Sequence, residues 1–176
     1  MLRFPIERRA RPTLDLLREI APDVREVQNI AEAFGMEPPA HGLREQVDAV
    51  TAEHIADQVP TSGPGRAAML TGLLDPVIAA AVAACRASHD AWLEAAEAQQ
   101  ALLRAQSGEL FWIEPLRERV EALTRCAAER LLVAHVRVEE AEGVARAVGI
   151  ARRGEEWMPR HGRAEADALF GFAATG

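Results

Sequence analysis

The sequence predicts an all-α fold: a helical bundle built on one long antiparallel helical hairpin, with shorter N-terminal helices packed against it. Three observations predict this. Glycine and proline leave two stretches, 75–107 and 115–149, with at most one internal glycine, each long enough for about nine turns. Apolar residues in both recur at steps of three and four. A short junction joins them, so antiparallel pairing is the simplest outcome.

The N-terminal lobe, 12–60, is expected to hold three helices. Ahead of it, the arm 3–11 is basic, with Arg3, Arg8, Arg9 and Arg11 against Glu7. Pro12 and Thr13 start a short helix with Leu14, Leu16, Leu17 and Ile20 as its apolar residues. Pro22 and Asp23 break the chain and restart it. Val24, Val27, Ile30, Ala31 and Phe34 then fall at helical spacing. Gly35 ends that helix, and Met36 is placed for the apolar contact of a glycine cap. After a stiff link at Glu37, Pro38 and Pro39, residues Leu43, Val47, Val50 and Ile55 mark a third helix. It ends near Val59 and Pro60.

Thr61, Ser62, Gly63, Pro64 and Gly65 form the strongest breaker cluster. A short helix over 66–74 follows. Asp75 at the N-cap and Pro76 at the first helical position then start the first long helix. Its inward stripe reads Ile78, Val82, Cys85, His89, Trp92, Ala96, Gln99 and Leu103, and its length is about 45–50 Å. Gly108 ends it. Leu110, Phe111, Trp112 and Ile113 make an unusually apolar junction. Glu114 and Pro115 open the second long helix, lined by Leu116, Val120, Leu123, Ala127, Ala134, Val138, Ala141 and Val148, with Leu131 and Val144 beside them. Gly143 weakens this helix by about 1 kcal/mol without breaking it, and Gly149 stops it. The hairpin spans 75–149 and a C-terminal tail spans 150–176. Residues 163–170 read as a last short helix. The 12–60 segment is short for an independent core, so the 176 residues are expected to form one domain.

In this register Trp92 falls opposite Ala127 and Cys85 opposite Ala134, so large side chains face small ones. Cys126 lies about 12 Å along the axis from Cys85, which excludes a disulfide between them.

Composition narrows the function classes. All 20 basic residues are arginine, and alanine is abundant, a pattern expected of a GC-rich bacterial genome and compatible with helix. A formal charge of −7 disfavours non-specific binding to nucleic acid or anionic membrane. The densest apolar run, 76–85, is ten residues and reads as a core helix rather than a membrane span. The start has no apolar signal region, so cytoplasmic residence is expected. Two cysteines make no disulfide framework.

Few residues point to chemistry. Cys85, His89 and Trp92 share the inward stripe and are the candidates for a ligand cavity, with His135 facing them. Cys85 and His89, four apart, have no third group to orient a nucleophile pair. His135, Glu139 and Glu142 align on one face, a mononuclear metal patch on one reading and a solvated acidic face on the plainer one. No histidine has an acidic residue three positions before it, the pattern of di-metal bundles. A helix–turn–helix over 24–34 and 43–58 has a long link with two prolines and an acidic second helix, which suits DNA poorly. Phe111 and Trp112 at the hairpin tip, and Trp157 beyond the other end, are large apolar residues placed to meet a partner. The expectation is a binding or regulatory protein that needs no cofactor and associates with itself, a homodimer, or with a protein partner. A helical-bundle enzyme or ligand binder around His89 and His135, and a DNA-binding regulator, are the alternatives.

Overall fold

The computed structural model describes residues 12–108 and 113–154. Helix accounts for 83% of these, in five segments: α1 Leu14–Ile20, α2 Val24–Ala33, α3 Leu43–Gln58, α4 Arg66–Ser107 and α5 Ile113–Arg153. No strand occurs among the described residues. Phe111, Trp112 and Trp157 lie outside them, as do the basic arm and the 163–170 segment.

Side chains set the short helices where the sequence puts them. The Leu16 N–H donates to Thr13 Oγ1 at 3.1 Å, satisfying one of the open donors at the start of α1. Asp23 does the same for α2, accepting from the Arg25 and Glu26 N–H groups at 2.8 and 3.4 Å. Gly35 takes a left-handed φ of 61°, and the Met36 N–H then reaches the Ala31 carbonyl at 2.8 Å. That is the glycine-ended cap expected after α2.

Two boundaries differ from the sequence reading. No break occurs at Asp75 and Pro76: α4 runs 42 residues without interruption, with Pro76 inside it. Proline withholds one N–H from the carbonyl of residue 72, and its ring crowds that carbonyl. Residue 72 is glycine, with nothing within 4 Å of where a Cβ would stand, so the site is open. Nor does Gly149 stop α5. The helix continues to Arg153, and Gly154, at φ 69°, ends it.

The chain forms two compact units. Unit 1 holds Met1–His41 and Asp75–Ala141, and unit 2 holds Gly42–Leu74 and Glu142–Gly176. Both long helices therefore contribute to each unit, and the breaker cluster at Thr61 to Gly65 lies inside unit 2.

In unit 1, α4 and α5 form the arms of the antiparallel hairpin, with α1 and α2 packed against it. On α5, Ala127, Leu131, Ala134, Val138 and Ala141 are buried at alternating steps of four and three, as a long helical seam requires. On α4, Ile78, Val82 and Cys85 are buried as expected, but the stripe beyond them is one position earlier than the sequence suggested. Ser88, Ala91, Ala95, Ala98, Leu102 and Ala105 face inward. Ala96 and Gln99 are exposed, and Leu103 is 54% exposed. Alanine occupies every face of this stretch, so apolar spacing does not fix the phase; the neighbours Leu102 and Leu103 cannot both turn inward. Ala81 of α4, Ala128 of α5, Leu17 of α1 and Val27 and Ala31 of α2 are buried with them.

In unit 2, α3 buries Ile55 and is followed by buried Val59, while Val50 is 67% exposed. The buried residue seven before Ile55 is Asp48, at 2% exposure. Leu70 of α4 and Val144, Ala147 and Val148 of α5 supply the rest of the apolar core.

Candidate functional site

Three groups of residues carry the site question. The first is the expected cavity group on α4 in unit 1. Cys85 is buried, while His89 and Trp92 are only partly exposed. Burial pushes the Cys85 thiol up to about 11 from an ordinary 9.0, because the apolar surroundings penalise the thiolate. At neutral pH this is a protonated packing residue rather than a nucleophile. Both cysteines are free, with Cys126 partly exposed.

The second is the acidic face of α5. His135, Glu139 and Glu142 are each partly exposed and each engaged by another group. His135 and Glu139 belong to unit 1 and Glu142 to unit 2. Among the described residues no group of three or more His, Cys, Asp or Glu is arranged to hold a metal ion.

The third was missed in the sequence: the polar links of unit 2. Asp48 Oδ2 accepts from Arg146 Nη1 at 3.0 Å, tying α3 to α5. Arg66 Nη2 donates to the Ala151 carbonyl at 2.9 Å, and its Nη1 to the Pro60 carbonyl. Ala151 lies in the last turn of α5, where carbonyls lack helical partners, so Arg66 caps that end from the start of α4. Arg152 Nη2 donates to Thr71 Oγ1 at 2.9 Å. Gly143 lets α3 approach α5 closely: a Cβ there would stand 2.7 Å from the Arg44 carbonyl oxygen and 2.9 Å from Val47 Cβ. The spacing of Asp48 to Ile55, seven residues, was the available signal that this acid faces inward.

One surface completes the inventory. On α4 within unit 1, Pro76, Ala79, Ala80 and Ala83 are all exposed and share one side of the helix. An 18-residue stretch of α4 is apolar enough, by length and composition, to cross a membrane, yet only 28% of it is buried. A water-facing helix side ordinarily carries charge. The readable signal was the scarcity of charge: Asp75 and Arg86 are the only formally charged residues between Arg66 and Asp90. This geometry offers a docking face more readily than a reaction centre.

No protein-family model, curated protein or solved structure matches the chain.

Proposed function

We propose that this protein works by binding protein surfaces, first of all a second copy of itself, rather than by turning over a substrate. The observation that carries the reading is the outward side of α4 in unit 1, which is apolar and lies open. Helices that are apolar all round are normally buried, and contiguous open apolar surface marks interaction sites. Leu103, more than half exposed near the end of α4, and the apolar junction at Leu110, Phe111, Trp112 and Ile113 add to the same reading. Sedimentation equilibrium of the full chain from 1 to about 200 µM, a range that brackets weak specific contacts, is the test. A monomer–dimer equilibrium is expected. A monomer mass throughout contradicts the self-association.

A further inference from the structure

The chain leaves α5 beside an open apolar sector at the start of α4. We infer that the C-terminal segment 155–176 docks on that sector within the same chain, with Trp157 lying over Ala68, Met69 and Gly72. These three residues and the end of α5 all belong to unit 2. The inference is independent of the self-association reading, whose face lies in unit 1.

Two hydrogen bonds fix where the segment begins. Arg66 Nη2 donates to the Ala151 carbonyl at 2.9 Å, and Arg152 Nη2 donates to Thr71 Oγ1 at 2.9 Å. The last turn of α5 is therefore held against the first two turns of α4. Gly154, at φ 69°, then turns the chain out of the helix. Around α4, residues Thr71, Ala68, Gly72 and Met69 follow one another over about 160°. Thr71, which receives the end of α5, is one edge of this sector. Ala68, Gly72 and Met69 are exposed, Met69 by 43%, and nothing stands within 4 Å of a Cβ at Gly72. A thioether beside an open glycine is a seat for a flat aromatic ring.

Trp157 is the first aromatic residue after α5. Three residues of chain reach at most about 10 Å, so Trp157 stands within about one helix width of Gly154. Charge agrees with this seat. Glu155 and Glu156 precede Trp157. Arg66 and Arg152 donate to carbonyl and hydroxyl oxygens, which leave their positive charges in place. The first turn of α4 has no acidic residue, so an acidic stretch is drawn to this corner rather than repelled from it. Tethering selects the same chain as the source: a segment joined to the end of α5 meets the sector at an effective concentration on the order of millimolar.

Acrylamide quenching of the full chain is the test, with the Trp157 part taken as the difference between the parent and Trp157→Phe. Trp157 is expected to be shielded. Met69→Glu, at an exposed position, is expected to raise its quenching constant about threefold, because a charge in the seat cannot be covered unpaired. The shielding is expected to hold from about 1 to about 100 µM chain, as an intramolecular contact requires. Shielding that fades on dilution assigns the sector to the segment of a second copy and overturns docking within the chain. Quenching as ready as that of N-acetyltryptophanamide overturns it outright. Shielding that Met69→Glu leaves untouched overturns this seat. Met69 gives a second reading: in dilute hydrogen peroxide its sulfoxide is expected to form about threefold faster in Trp157→Ala than in the parent. Equal rates contradict the docking. None of these outcomes turns on whether the unit 1 face pairs, which sedimentation decides.

Discussion

Along the hairpin of unit 1, α5 turns Ala127, Leu131, Ala134, Val138 and Ala141 inward, and the facing stretch of α4 buries mainly alanines. At the equivalent depth in unit 2, α3 turns Asp48 inward onto Arg146, Gly143 admits the α3 backbone, and Arg66 caps the end of α5. Small side chains close the first seam by shape alone. Alanine contributes little apolar area per residue, so that seam is long and its stability is spread thinly over many turns. The second seam is short and depends on a few groups, each of which has a specific partner. The contrast teaches that a weak but long contact and a short but specific one are two ways of holding alanine-rich helices together.

Substitutions sharpen the contrast. The largest expected effect is Gly143→Ala. Its methyl would meet a backbone oxygen, which cannot swing aside, so α3 must move off α5 at a cost of about 2–3 kcal/mol. Chemical denaturation read by circular dichroism measures this; a loss under about 0.5 kcal/mol would mean the close approach is absent.

Next comes the alkaline response of unit 1. The Cys85 thiol in the folded chain holds its proton up to about 11, against 9.0 ordinarily. Its folded value is raised, so the stability it lends is complete below pH 9 and is lost as pH rises from 9 to 11 through the folded value. The loss is on the order of 2–3 kcal/mol, and Cys85→Ala is expected to remove that part of the pH slope. The same burial makes Cys126 the first thiol to react with a disulfide reagent at pH 8, with Cys85 reacting only as the chain opens.

Asp48→Asn follows, at about 1–3 kcal/mol. The lower half of that range is expected because Arg146 is 27% exposed and water takes over part of its charge. The smallest effect has the opposite sign. Gly72→Ala is expected to stabilise by about 0.5–1 kcal/mol, since the site is helical and open. Destabilisation there would show that Pro76 needs a glycine four residues before it.

Much of the fold could be read in advance because along most of α5 apolar residues recur at steps of three and four between arginines and glutamates, and the residues so spaced from Ala127 to Ala141 are buried. The second half of α4 could not be phased, since alanine lies on every side and leucines are adjacent at 102 and 103. Asp48 escaped because its helix was read only as acidic, although its spacing to Ile55 pointed inward. Asp75 and Pro76 carry the pattern of a helix start, and nothing local distinguishes a start from a tolerated interior proline. In the candidate site, the burial of Cys85 was legible from its place in the stripe. The open apolar side of α4 was not, because alanine counts as apolar wherever it faces and only packing tells which alanines are left uncovered.

The most direct measurement of the contrast between the two seams is amide hydrogen exchange on the full chain carrying Asp48→Asn. Faster exchange is expected across 43–58 and 142–153, with 81–102 and 127–141 unchanged, because only the second seam hangs on that carboxylate. Equal acceleration in all four stretches would contradict the account.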